Sequence, residues 1–119
     1  MYVKTVSWGK CNGNSWCNFL TLNLDHPHFV GLEGVYVIWH GGPNPAAVYV
    51  GQGLIADRLR EHRTDSKILK HAVQGLFVTW AKVDALSRSG VERFLTERLN
   101  PTEVSRTPEG TPINVNLPW

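Results

Sequence analysis

Gly34-Val35-Tyr36-Val37-Ile38-Trp39-His40, Gly41-Gly42-Pro43-Asn44 and Pro45-Ala46-Ala47-Val48-Tyr49-Val50-Gly51 form one continuous stretch whose reading decides the fold. Val35, Val37 and Trp39 alternate with Tyr36, Ile38 and His40, the period-2 pattern of a strand. Residues 41–44 have turn composition, and Ala47, Val48, Tyr49 and Val50 resume the extended character. With 41–44 as the loop, His40 pairs with Pro45 and Tyr36 lies opposite Tyr49. Opposed residues share one face of a sheet with Cβ atoms about 5 Å apart. The spacing therefore predicts two phenols side by side, which a one-residue slip would send to opposite faces.

Downstream, Gly51-Gln52-Gly53 admits a sharp turn, and Ile55, Leu59 and either His62 or Arg63 then recur at helical spacing. A second helix is expected after a cap at Thr64, Asp65 or Ser66, with Ile68, Leu69, Ala72 and Val73 on its apolar face and Gly75 as its stop. Leu76 to Val83 read as a strand, rich in β-branched and aromatic residues. The last helix is expected from about Ser89 to Leu99, with Val91, Phe94, Leu95 and Leu99 in one stripe, ended by Asn100-Pro101. Beyond it, Pro108, Pro112 and Pro118 predict an irregular tail that packs back through Ile113, Val115, Leu117 and Trp119.

Upstream, residues 1–30 read as an extension packed on the core, with a short strand or helix near 16–24. Residues 31–119 carry the domain proper. The expected order is β-β-α-α-β-α around a small, three-stranded, mainly antiparallel sheet, an α+β layout.

At 119 residues, 42% hydrophobic and 18% charged, the chain suits one globular domain rather than disorder. No apolar run approaches the roughly 18 residues of a membrane span. Met1-Tyr2-Val3-Lys4-Thr5 has no apolar signal core, so a cytoplasmic location is expected. Cys11 and Cys17 lack the partners a zinc site needs and read as buried free thiols, since a disulfide is not expected in a reducing compartment.

The formal charge is only +2, but Arg58, Arg60, Arg63, Lys67 and Lys70 fall within thirteen residues. Such a stripe suits a phosphate backbone. A solvated helix face is the competing reading, because Asp57, Glu61 and Asp65 are interspersed.

Hydrolysis of a phosphodiester needs a proton acceptor for water, a cation for phosphate and a means of stabilising the leaving oxygen. Tyr36 is the candidate base or proton relay, with Tyr49 as its partner. A free phenol has a pKa near about 10, so acceptance by Tyr36 requires a depressed value. Arg58 is the candidate phosphate clamp, and His62 at i+4 shares its helix face. Glu92 is the candidate metal ligand, since Mg²⁺ is often held by one or two carboxylates. On a helical wheel at about 100° per residue, Glu92 borders the buried stripe. Ser89-x-x-Glu92 is also a capping-box pattern, which would make Glu92 structural.

Together these residues resemble the GIY-YIG nuclease family. Gly34-Val35-Tyr36 matches the first element and Tyr49-Val50-Gly51 the second, with twelve residues between them. Asp57-Arg58-Leu59-Arg60-Glu61-His62 is similar to the helix carrying the family's arginine, and the Arg58–His62 spacing to that of its restriction endonucleases. Val91-Glu92-Arg93-Phe94-Leu95 through Leu99-Asn100-Pro101 resembles the helix with the metal-binding glutamate. The resemblance covers about residues 33–101. It implies hydrolysis of DNA with a single Mg²⁺ (or Mn²⁺) on Glu92, Tyr36 activating water, and Tyr49, Arg58 and His62 around the phosphate. The family's asparagine falls where this chain has Val104, and Asn100, Asn114 or Asn116 could replace it, Asn116 being preferred. A targeting partner or a second copy would supply specificity. A non-catalytic nucleic-acid-binding module and a protein-interaction domain are the alternative expectations.

Overall fold

The computed structural model describes residues 3–104 and 108–119, so Met1-Tyr2 and residues 105–107 of the tail lie outside the described residues. The layout is α+β. Strands β1 (Cys17–Asn18), β2 (Glu33–His40), β3 (Ala46–Leu54) and β4 (Leu76–Lys82) form one antiparallel sheet in the order β1-β4-β2-β3. The expected three strands are thus four. The added strand, β1, comes from the N-terminal extension, where Cys17 pairs with Val78. Two residues are too few to show periodicity. What holds them is long-range pairing, continued by Phe19 N–H donating to the Leu76 carbonyl at 2.9 Å.

Within the hairpin, Tyr36 pairs with Gly51 and Ile38 with Tyr49, two residues from the expected register. The turn takes residues 41–45, and a bulge between Ile38 and Trp39 leaves Val48 as the extra residue on β3. An even shift preserves the face, because side chains alternate with period 2. The two tyrosines therefore still meet, as diagonal neighbours with stacked rings 6.2 Å apart.

Seven of the eight β2 residues are buried, because helices and loops cover both faces of the sheet. Helix α1 (Ile55–His62) lies over Tyr36, Ile38 and Val48, to which it adds Ile55 and Leu59. His62, not Arg63, completes its buried face. Helix α2 is a single turn (Ser66–Leu69) capped by Asp65, whose carboxylate accepts from Lys67 N–H. The expected longer helix breaks there. Val73 is 92% exposed rather than packed, and Gly75 (φ 83°) turns the chain into β4.

Helix α3 (Ala85–Leu99) packs Val91, Phe94 and Leu95 against Val35, Val37 and Val50 on the opposite face. It starts four residues earlier than expected, capped by Asp84, whose side chain accepts from Ser87 N–H. Ser89 and Glu92 therefore lie inside the helix. The capping-box reading fails, because a capping glutamate sits three residues after the cap.

Strand β3 is a sheet edge, a row of open backbone groups that proteins usually cover. Here Thr102 and Glu103 N–H donate to the Ala47 and Val48 carbonyls at 3.0 and 2.8 Å. The tail returns over α3, with Val115 buried beside Lys4. Cys11 and Cys17 form a disulfide with Cα atoms 5.2 Å apart, which overturns the expectation of free thiols. The chain reverses between them at Asn12–Asn14, bringing Cys11 and Ser15 into a bridge that presents the two sulfurs to each other. Such bonds persist in oxidising surroundings, unlike the reducing compartment from which free thiols were inferred. Among the described residues, no helix is long and apolar enough to cross a membrane.

Candidate active site

The edge strand, α1 and α3 converge around Tyr49. Tyr36 lies behind it with no exposed surface, its hydroxyl 2.7 Å from His62 Nε2. The His62 ring also packs on Tyr49, with centroids 4.4 Å apart. Gly51 is what admits the Tyr36 hydroxyl, for a Cβ there would overlap it. The next turn is set by Gly53 (φ 128°), against which the Arg58 stem lies.

Burial pushes the Tyr36 phenol well above its ordinary pKa; Arg58 opposes this, while Tyr49 and Glu92 add to the rise. The depression expected for a phenolate base is thus reversed, because desolvation outweighs the nearby cation. Burial, then Arg58, lowers the His62 pKa. A neutral imidazole beside a neutral phenol can accept its proton at Nε2.

Arg58 is half-buried. One terminal nitrogen, Nη1, pairs with Glu61 at 3.1 Å, and Nε has no hydrogen-bond partner among the described residues. An unpartnered guanidinium N–H is a ready donor to a phosphate oxygen.

Two small recesses share Tyr49, Glu103 and Val104 as a common wall. One is completed by Val50, Glu92, Thr96 and Pro101. The other, about 180 Å³, is completed by His62, Asp65, Lys67 and Ile68. Glu92 is half-buried and faces Tyr49 across the sheet edge. Further along that edge, Gln52 donates to Ser89 Oγ at 3.2 Å, tying β3 to α3. Tyr36, Tyr49, Arg58, His62 and Glu92 are thus brought together from four elements, β2, β3, α1 and α3.

Asn116 is not part of this group. Its Oδ1 accepts from Val6 N–H at 2.7 Å and its Nδ2 donates to the Val6 carbonyl at 2.9 Å, so its amide is spent on tying tail to N-terminus. Val104, where the sequence reading looked for an asparagine, does line the recess but offers no amide. Glu103 was missed by sequence reading. It takes ion pairs from Lys70 at 3.1 Å and His71 at 3.4 Å, which hold its carboxyl below the usual range despite some burial. A single acid in a loop next to Pro101 carries no periodic signal that would have found it.

The basic stripe divides. Arg63 donates to the Phe19 and Leu22 carbonyls at 2.6 to 3.0 Å, which makes it a structural tie rather than a nucleic-acid contact. Arg60 pairs with Asp25 at 2.6 Å and Asp57 at 3.4 Å, and Lys70 with Glu103. Lys67 borders the recess of His62 and Tyr49. No group of three or more His, Cys, Asp or Glu able to hold a metal occurs among the described residues.

No family model matches this chain, and neither a curated protein nor a solved structure matches it.

Proposed function

We propose that the chain is a phosphodiester-cleaving nuclease on a GIY-YIG-like fold, acting on DNA. One observation carries this reading: the Tyr36–His62 hydrogen bond of 2.7 Å stands behind Tyr49, between the Arg58 guanidinium and the Glu92 carboxylate at one sheet edge. In this reading Arg58 turns its Nε–H, buried and unpartnered in this structure, to a phosphate oxygen. Tyr36 passes its hydroxyl proton to His62 Nε2 as it takes one from the attacking water, so neither group need become a free phenolate. Tyr36 is fully covered in this structure, so cleavage by this route requires Tyr49 and Arg58 to part before water can meet the phenol.

The donor set suits a Mg²⁺ shared with substrate rather than caged by protein, since one carboxylate with waters and phosphate oxygens is an ordinary Mg²⁺ shell. Glu92 would hold it, and the ion would supply Lewis acidity toward the phosphoryl group.

Glu92→Ala and Tyr36→Phe are expected to lower Mg²⁺-dependent nicking of a labelled DNA panel by roughly 10²–10³-fold each. Circular dichroism melting checks that both variants fold. Parent-like cutting by both would end the nuclease reading. A second reading, a non-catalytic nucleic-acid-binding module, draws on the complete burial of Tyr36 and the valine at 104. Salt-sensitive binding without cleavage in any divalent ion would favour it.

A further inference from the structure

Three tryptophans that the site does not use gather on the α3 side of the sheet. Trp39 meets Trp16 edge-on with centroids 5.2 Å apart and Trp119 at 4.6 Å. With Ala47, Arg98 and Leu99 they wall a cleft of about 510 Å³. Trp119 is 55% exposed, a high value for an indole in a cluster. Cations stand at its margins. Lys10 Nζ lies 4.4 Å from the Trp16 ring centroid, and the exposed Arg98 guanidinium lies over Phe94.

Aromatic faces flanked by cations are what a single-stranded nucleic acid uses, bases stacking on the rings and phosphates meeting the charges. A proline-rich peptide also docks in aromatic grooves, but it gives no use to two marginal cations. Location adds to the argument. Leu99 on the cleft wall lies seven residues beyond Glu92 on α3, or about 10 Å at the helical rise. That is roughly three stacked nucleotide steps at about 3.4 Å each. Ala47, also on the wall, is two residues from Tyr49.

We propose that the Trp16–Trp39–Trp119 cleft takes an unpaired nucleobase of a single DNA strand, with Lys10 and Arg98 on the flanking phosphates, and leads that strand toward the recess of Tyr49 and Glu92. Occupancy of the cleft stands by itself, whereas its link to cleavage rests on the nuclease reading. The preferred substrate is then DNA with an unpaired segment next to the scissile bond.

Binding without divalent ions separates the two ideas. A fluorescein-labelled oligo-dT of about ten nucleotides and a duplex of similar length are titrated by anisotropy. Trp119→Ala is expected to weaken oligo-dT binding about 10-fold while leaving the duplex unchanged. Trp119→Phe, which keeps a stacking face, retains most of the affinity. Arg98→Ala lowers the single-strand salt slope by about 0.7. Because binding is read without divalent ions, absence of cutting by the parent counts only against the nuclease. Equal oligo-dT affinity for parent and Trp119→Ala overturns the cleft assignment. So does an equal loss on both DNAs, or a labelled proline-rich peptide binding in place of the oligonucleotide.

Discussion

A methyl group has no room on Gly51, because the Tyr36 hydroxyl and the ring carbon that bears it lie against that α-carbon. Gly51→Ala is expected to cost about 1–3 kcal/mol, as overpacking does, and to displace Tyr36 from His62. Chemical unfolding measures the first effect, and the second appears as lost cutting at temperatures where the variant stays folded. The same pair sets a pH dependence on both sides of neutrality. Burial, then Arg58, depresses the His62 pKa, so the unfolded imidazole binds its proton at higher pH than the folded one. That contribution is complete above about pH 6.5 and is lost as pH falls through the folded value. Burial raises the Tyr36 pKa, so its contribution is complete below about pH 10 and is lost as pH rises through the folded value. Urea midpoints against pH should form a dome. His62→Asn should flatten its acid limb and Tyr36→Phe its alkaline limb, and unchanged limbs would count against the pair.

At the scale of elements, the N-terminal extension depends on ties that sequence did not announce. Its Cys11–Cys17 bridge closes a short loop, for which chain entropy gives about 2 kcal/mol. Dithiothreitol should lower unfolding stability by about that amount. A Cys11→Ser, Cys17→Ser variant should match the reduced parent and no longer respond to the reagent. What was legible at this scale was periodic. The hairpin, the buried stripe of α3 and the facing tyrosines follow from repeats of 2 and about 3.6 residues, and these survive a two-residue register shift. The bulge at Val48 and strand β1 were not legible, since both arise from long-range pairing. The early start of α3 was missed for a different reason. Asp84 is an ordinary capping residue, but Ser89-x-x-Glu92 competed with it in the sequence and only packing decides between them.

Across the whole molecule, α1 and α3 cover opposite faces of the sheet, and side chains from both reach the β3 edge around Tyr49. This is why Tyr36, Arg58 and Glu92, distant in sequence, lie in one neighbourhood, while Asn116 does not. The helices bring their side chains to the edge by their periodicity, whereas the tail follows contacts such as the Asn116–Val6 pair that leave no pattern. The cations show the same division. Arg63 caps two carbonyls of the extension, and its removal leaves those acceptors unsatisfied, a loss of about 1–3 kcal/mol. Lys67 is exposed at the border of the recess, where it adds field rather than structure. Arg63→Ala should therefore lower the urea midpoint. Below its melting range, it should leave the dependence of duplex affinity on salt as in the parent. Lys67→Ala should do the reverse, reducing the slope of log K against log salt by about 0.9 with little change in melting. A stripe of five cations read as one interface from sequence would instead give similar slope losses for both, so the pair of titrations tells a built phosphate path from a run of charge.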